Sequence, residues 1–191
     1  WPFPDEESLA DLDAAVDALC DFANTLNMPF ISGKDSLSST YRYPGGKVLK
    51  IPPVVLLSVF GKIADVTKTV SSDFKKVSST IVLVGKPDIK NLGGSTYFDV
   101  IGSSGQVPRI DINNLKKVFS RVTKGIQEGQ ILSAHDISEG GLAVSLAEMC
   151  FGAGFGARVD LSSVALAKED QSDYIFFNET AGTFLVEVEN E

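Results

Sequence analysis

The spacing of hydrophobic side chains along the chain predicts several helices. Apolar residues recur at helical spacing over residues 8–26, where Ser8 and Asp11 are spaced to form a capping box. A second apolar stripe, over residues 112–126, is more regular and predicts an amphipathic helix. A third helix is predicted from about residue 142 to residue 150, directly after a pair of glycines.

The same pattern predicts strands between the helices. Residues 41–43 and 47–49 flank Pro44-Gly45-Gly46, which is a hairpin signal. Residues 52–63 form a near-continuous apolar, β-branched run, which is typical of a strand that is covered on both faces. The remaining strands are predicted as a short one from residue 28 that runs into a loop, and others at residues 80–85, 130–134, 156–161 and 182–189.

A polar stretch at residues 65–79 lacks apolar spacing and marks a boundary between two parts. We therefore expect a partial domain at residues 1–70 and a second domain at residues 71–191. The mixture of helices and strands places the chain in the α/β or α+β class. Because Trp1 is not a natural start and the chain stops just after a strand-like segment, we expect a piece of a larger polypeptide.

Composition and charge narrow the function classes. There are 17 Lys plus Arg against 25 Asp plus Glu, and the net charge of -8 argues against general binding of nucleic acid or an anionic membrane. Two cysteines are too few for a disulfide framework and indicate a reducing compartment. We see neither an apolar run of the roughly 20 residues that a membrane helix needs nor a leader sequence, and we expect a cytoplasmic protein.

The most informative motif is LSAHDISEGGLAVSLAEMC, which holds the only histidine of the sequence, His135. A strand that turns through glycines into a helix can hold an anion, because free N–H groups and the positive end of the helix dipole face the loop. Asp136 is an oxygen ligand of the type that Mg²⁺ prefers, and Ser138 can donate to a phosphate oxygen. Gly140 and Gly141 let the backbone come close to a ligand. The alternative is that Asp136 or Ser138 only caps the helix and that His135 packs beneath it.

A second polar cluster consists of Gly33, Lys34, Asp35 and Ser36, directly after an apolar segment. Lysine can neutralise a phosphate, and aspartate can bind a metal or orient a hydroxyl. The spacing of a Walker loop, G-x-x-x-x-G-K-[ST], is absent. The alternative is an ordinary turn with a surface ion pair that contributes little.

Two further motifs are weaker. NLGGSTYF leads into a predicted short helix, and its Gly-Gly-Ser is more simply explained as a turn than as a phosphate contact. FNETAGTF places the carboxylate of Glu179 before the last predicted strand. For this motif a turn is at least as good an explanation as a site.

Taken in order, five segments resemble phosphoribosylformylglycinamidine synthase, the amidotransferase of de novo purine synthesis. They are PFISGKDSLSSTY, IPPVVLLSVFGKIADV, LGGSTYF, SAHDISEGGLAVSLAEMCFG and FNETAGTFLVEV. The resemblance implies a fold like that of aminoimidazole ribonucleotide synthetase. The chain would hold part of an N-terminal barrel half up to about residue 70, and then most of a C-terminal mixed-sheet domain with flanking helices. It would belong to the second of two such units.

The resemblance also implies an ATP-dependent reaction with Mg²⁺. The formyl oxygen of formylglycinamide ribonucleotide would be phosphorylated, and ammonia from glutamine would displace it to give the amidine. Phosphoryl transfer needs Mg²⁺, cationic charge and backbone donors around the phosphates. The implied partners are the nucleotide, the ribonucleotide substrate, the remaining synthetase units and a glutaminase domain or subunit. Alone, the chain is expected to be inactive, with no catalytic residue of its own.

By the same resemblance, Asp136 corresponds to a Mg²⁺ ligand and Ser138 to a nucleotide contact, in a site that is auxiliary in large-form enzymes. The histidine and the two glycines of the motif complete this predicted nucleotide-binding set. Residues 33–36 match a segment that contacts nucleotide and substrate, with Lys34 where short-form enzymes have a metal-binding asparagine. Because an ammonium group has no lone pair, Lys34 can neutralise phosphate but cannot bind a metal.

Two other interpretations of the whole chain stay open. One is that the chain is another ATP-using enzyme of the same superfamily. The other is that it is a non-catalytic structural unit with a degenerate nucleotide site. The front half of the unit would normally cover residues 54–60 of the apolar run. Without that cover, we also expect a homodimer of this chain through the exposed run.

Overall fold

The computed structural model describes residues 1–160 and 172–190. The chain divides into two compact units, Trp1–Ile63 and Ala64–Glu191. The identification of these parts as a partial N-terminal half and a C-terminal domain, with a boundary at residue 70, stays a prediction. In the described parts of the chain, no helix is long and apolar enough to cross a membrane.

The first unit begins with helix α1 (Glu6–Leu26), which confirms the first predicted helix. The predicted capping box of Ser8 and Asp11 is wrong, because the helix begins earlier and Asp5 is its N-cap. Asp5 accepts the backbone N–H of Ser8 at 3.1 Å and the hydroxyl of Ser8 at 2.7 Å. Aspartate is among the preferred N-caps because its short side chain reaches these free N–H groups. Hydrogen bonds from Lys50 and Ser8 hold the pKa of Asp5 below its ordinary value.

The predicted hairpin is confirmed. Strands β1 (Thr40–Arg42) and β2 (Val48–Lys50) pair antiparallel. Gly45 and Gly46 form the turn with φ of 91° and 88°, a conformation that side chains with a Cβ rarely adopt.

Two predicted strands of the first unit are wrong. Residues 28–39 and residues 52–63 contain no strand, and the second stretch is exposed rather than covered on both faces. Leu56 is 89% exposed and Phe60 is 80% exposed. A strand needs a neighbour that pairs with its N–H and C=O groups, and in this unit β1 and β2 pair only with each other.

The second unit is built on a three-stranded sheet of order β3-β5-β4. The strands are β3 (Thr80–Val84), β4 (Ile131–Asp136) and β5 (Phe184–Val188). The central strand β5 pairs antiparallel with both neighbours. These three predicted strands are confirmed. The strand predicted at residues 156–161 is wrong over residues 156–160, and residue 161 lies outside the described residues.

Helices flank the sheet. After a short 3₁₀ helix (Val66–Lys68), the described part of this unit contains α2 (Thr96–Val100), α3 (Ile112–Gln127), α4 (Gly141–Ala153) and α5 (Ser172–Phe176). The helices predicted over residues 112–126 and 142–150, and the short one after NLGGS, are confirmed. Asp111 caps α3 by accepting the N–H of Asn114 at 3.1 Å.

The two faces of the sheet have separate hydrophobic clusters. Leu185 of β5 packs with α4 residues Leu142, Leu146 and Met149, together with Phe74, Ile137 and Ile175. The next residue, Val186, packs on the other face with Val118 and Val122 of α3 and with Ile131. Successive side chains of a strand point to opposite faces, so one strand serves both clusters. The mixed α/β class with flanking helices is confirmed.

The carboxylate of Glu187 is fully buried in this unit. Glu187 of β5 is 0% exposed, and it accepts the backbone N–H groups of Lys75 at 2.7 Å and Lys76 at 2.9 Å. The hydroxyls of Ser79 and Ser133 donate to it at 2.7 and 2.9 Å. Burial alone would raise the pKa of Glu187, but these hydrogen bonds hold it below its ordinary value.

Candidate functional site

The candidate site lies where β4 ends and α4 begins. Strand β4 includes His135 and Asp136, and Ile137 then turns into the core and donates its N–H to the carbonyl oxygen of Thr183 at 2.9 Å. The hydroxyl of Ser145 in α4 donates to the carbonyl oxygen of Asp136 at 3.1 Å. These contacts fix the end of the strand against the first turns of the helix.

His135 is held between the strand end and α4. Its Nδ1 lies 2.6 Å from the carbonyl oxygen of Asp136, and its Nε2 lies 3.1 Å from a carboxylate oxygen of Glu148. The side chain is only 15% exposed. The imidazole therefore joins the loop to the helix.

The polar side chains of the loop face outward. The side chain of Asp136 is 65% exposed, and Ser138 and Glu139 are exposed as well. Among the described residues of the second unit, none covers the carboxylate of Asp136 or the hydroxyl of Ser138. Both groups are therefore accessible to a ligand.

Gly140 and Gly141 are buried and have left-handed backbone conformations, with φ of 79° and 67°. The N–H of Gly141 donates to the carbonyl oxygen of Ser138 at 3.0 Å. A Cβ on Gly141 would lie 2.7 Å from the carbonyl carbon of Phe177, so only glycine fits at this position. This close approach explains Gly141 as a packing requirement of the loop.

Glu179 belongs to the FNETAGTF motif, which the sequence explains equally well as a turn or as part of a site. Its Oε1 accepts the N–H of Gly140 at 2.8 Å and the N–H of Thr96, at the start of α2, at 2.9 Å. FNETAGTF is therefore more than a turn, because it supplies an acceptor to two other loops. The sequence signal for this role is a carboxylate directly before a glycine-containing turn.

The NLGGS turn borders a cleft of about 430 Å³. Its lining is Gly94, Ser95, Thr96, Phe98, Asp99, Ser103, Ser104 and Gly105. Next to this turn, the carboxylate of Asp88 accepts hydrogen bonds from the backbone N–H of Arg109 and the side-chain amide of Asn91. These hydrogen bonds hold the pKa of Asp88 below its ordinary value.

The second predicted cluster, Gly33 to Ser36, lies in the first unit and is exposed. The Lys34 ammonium donates to the carbonyl oxygen of Asp35 at 3.0 Å and also contacts the Ser36 hydroxyl. A Cβ on Gly33 would meet nothing within 4 Å. The cluster is thus a compact surface loop, and its predicted role in nucleotide binding stays a prediction.

Within residues 1–160 and 172–190, no three His, Cys, Asp or Glu side chains are grouped as metal ligands. The carboxylate of Asp136 is accessible, with its side chain 65% exposed. Mg²⁺ is commonly held by one or two carboxylates together with substrate phosphates. Asp136 therefore fits one ligand of such an ion, and the described residues do not form a complete cage.

A family model for the C-terminal domain of AIR synthase related proteins matches residues 76–191. The chain belongs to this family. The match includes the whole β4–α4 site together with the NLGGS and FNETAGT turns. The expected aminoimidazole ribonucleotide synthetase-like fold is therefore confirmed.

A relative from Methanocaldococcus jannaschii, phosphoribosylformylglycinamidine synthase subunit PurL, is 32% identical over 188 residues. That alignment covers 97% of this chain and 25% of the relative. The chain spans about a quarter of the length of the curated relatives it matches. The resemblance to this enzyme is thus confirmed at the level of homology.

Two solved structures from Thermotoga maritima share the fold. PurL complexed with ATP has a TM-score of 0.60 at 19% identity, covering 91% of this chain and 26% of that one. The PurLQS structure has a TM-score of 0.58 at 20% identity, covering 88% of this chain and 26% of that one.

Proposed function

We propose that this chain is part of the second synthetase unit of a phosphoribosylformylglycinamidine synthase and that it contributes nucleotide and Mg²⁺ contacts. The observation that carries the proposal is the β4–α4 loop, which presents Asp136 and Ser138 to solvent at the start of a helix. Helix starts favour anions, because their N–H groups and dipole face the ligand. The similarity to PurL supplies the reaction class.

The proposed reaction converts formylglycinamide ribonucleotide, ATP and glutamine to the formylglycinamidine ribonucleotide. Mg²⁺ would neutralise phosphate charge when bound, and Asp136 would supply one of its ligands. Ser138 would donate to a phosphate oxygen, and His135 would keep the strand end oriented through its contact with Glu148. Gly140 and Gly141 would complete the nucleotide-binding loop.

Gly33, Lys34, Asp35 and Ser36 are proposed as further nucleotide or substrate contacts from the first unit. The Lys34 ammonium is exposed and can pair with a phosphate as a point charge. Its three donors and lack of a lone pair exclude it as a metal ligand.

The proposed partners are the remaining synthetase units and a glutaminase domain or subunit. Two observations support these partners. The chain spans about a quarter of the length of its relatives, and it shares its fold with T. maritima PurLQS. A cytoplasmic location is proposed because two cysteines indicate a reducing compartment, and the net charge of -8 argues against general binding of nucleic acid or an anionic membrane. A homodimer through residues 54–60 is proposed for the chain on its own.

A second candidate is a structural unit whose nucleotide site is degenerate. Two observations favour it: the N–H of Gly140 is already taken by Glu179, and the described residues hold no complete metal cage.

Titration calorimetry of the chain with ADP, with and without Mg²⁺, separates the two candidates. The proposed function predicts saturable binding that requires Mg²⁺, whereas the degenerate site predicts no heat of binding. An amidine-formation assay with ATP, ribonucleotide and ammonia should show no product from the chain alone. Product formation there would contradict the assignment of this chain as one contributing part.

A further inference from the structure

Two loops of the second unit meet at one atom. Oε1 of Glu179 accepts the N–H of Thr96 at 2.9 Å and the N–H of Gly140 at 2.8 Å. Thr96 follows the NLGGS turn, and Gly140 is the last residue before α4. Hydrogen bonds to an ionised group are roughly twice as strong as neutral ones. One side chain thus joins two turns that are far apart in the sequence.

The residues beside Glu179 are fixed to a third segment. Asn178, which is 3% exposed, donates its amide to the carbonyl oxygens of Asp88 at 2.8 Å and Asn91 at 3.1 Å. The Thr180 hydroxyl accepts the N–H of Asp88 at 2.8 Å. Because both neighbours are buried and hydrogen-bonded, the carboxylate of Glu179 stands on a rigid support.

Both loops also contact the backbone and rings just before Glu179. A Cβ on Gly141 would lie 2.8 Å from the Phe176 carbonyl oxygen, so the loop before α4 sits directly on this segment. The ring of Tyr97 stacks on Phe177 with 4.7 Å between centroids, and its hydroxyl donates to Asp173 at 2.5 Å. The carboxylate of Glu179 therefore lies where the two loops pack against residues 176–177.

We propose that Glu179 is a positioning residue for the β4–α4 loop, a role that rests on the proposed function of that loop. Its carboxylate holds Gly140 in the left-handed conformation that brings the strand end to the helix start. Asp136 and Ser138 are presented to the ligand from the loop so fixed. In this arrangement Gly140 supports the loop through its N–H, and the contacts to phosphate fall to Ser138 and to an ion bound at Asp136.

Amide hydrogen exchange of the whole 191-residue chain tests the proposal in Glu179→Ala and Glu179→Gln. In the alanine variant, the amides of Thr96 and Gly140 should exchange together at least about tenfold faster, because both lose a charged acceptor. The glutamine variant should restore protection of both amides, since its side-chain oxygen still accepts. Glu139→Ala, which removes an exposed carboxylate of the same loop, should leave both amides unchanged.

Unchanged exchange of Thr96 and Gly140 in Glu179→Ala would overturn the proposal. Equal acceleration across β5 would also overturn it, because that result assigns Glu179 to general stability. Binding of Mg²⁺ and ADP is then measured by calorimetry, and Glu179→Ala should weaken it about tenfold while Glu179→Gln retains it. If the wild-type chain binds no nucleotide, the proposed function fails, whereas the exchange result still decides the role of Glu179.

Discussion

At the scale of single residues, the buried carboxylate of Glu187 ties the central strand to two other segments. Backbone N–H groups of Lys75 and Lys76 and the hydroxyls of Ser79 and Ser133 all donate to it. A buried carboxylate without such donors would be strongly unfavourable. With them it acts as a polar link between β5, β4 and the segment before β3.

We expect Glu187→Gln to lower the free energy of unfolding by about 2 kcal/mol at pH 7. The NH₂ group of glutamine would replace one acceptor oxygen and face N–H and O–H donors, which would then lack an acceptor. The pKa of Glu187 is lower in the folded chain than its ordinary value. Its carboxylate therefore stabilises the fold fully above the unfolded pKa, about 4.3, and loses that contribution as the pH falls through the folded pKa.

Urea unfolding of both proteins from pH 7 downward measures this difference. The gap between wild type and Glu187→Gln should narrow in acid. Glu189→Gln is the matched control, because its side chain is 58% exposed, and it should change stability by less than about 0.5 kcal/mol. A gap that stays constant with pH would contradict the role assigned to the Glu187 carboxylate.

Single residues show where sequence reasoning succeeds and where it stops. His135, Asp136, Ser138, Gly140 and Gly141 could be assigned to one loop because they are adjacent in a strand–turn–helix pattern. Glu179 and Glu187 could not be given partners, because their donors come from segments 39 to 112 residues away. Hydrophobic spacing carries no information about such distant polar pairs.

At the scale of elements, α4 begins at Gly141 and is followed by Gly154, a glycine with the same backbone conformation. Gly141 has a φ of 67° and Gly154 has a φ of 69°. Only the first is crowded, since a Cβ on Gly154 would meet nothing within 4 Å. A substitution at Gly154 therefore measures the cost of backbone strain alone, and a substitution at Gly141 adds the cost of a steric clash.

We expect Gly154→Ala to cost about 1 kcal/mol of stability from the left-handed conformation alone. Gly141→Ala should cost about 2 kcal/mol more, because its methyl group collides with backbone atoms of Phe176 and Phe177 that cannot move aside. Thermal or urea unfolding of the two variants measures the difference. Equal losses would contradict the close approach of the loop before α4 to residues 176–177.

The three strands of the sheet and helices α3 and α4 of the second unit were predictable because each has a clear period and a partner inside the same unit, whereas α5 was not predicted and residues 156–160 contain no strand. Helix α3 has a complete apolar stripe, and β5 finds strands on both sides. Residues 28–39 and 52–63 read as strands from composition alone. Pairing partners decide whether a strand forms, and local composition cannot report whether partners are present.

At the scale of the whole molecule, the apolar run at residues 52–63 predicts self-association. Exposed apolar patches of this kind usually mark interaction surfaces. Sedimentation should show a monomer–dimer equilibrium that shifts to dimer with concentration. Leu56→Lys should shift it to monomer, whereas Val100→Lys, at a position 78% exposed in the second unit, should leave it unchanged. Only monomer at high concentration would count against the homodimer.

We propose that the β4–α4 loop binds nucleotide through a Mg²⁺ ion held at Asp136. The most direct measurement is calorimetry with ADP and Mg²⁺ on Asp136→Asn and Glu139→Gln, which remove the same charge from the same exposed loop. We predict that Asp136→Asn weakens binding at least about tenfold, as expected for a lost charged contact, while Glu139→Gln binds as wild type. Equal binding by the two variants, or no binding by the wild-type chain, would contradict the claim.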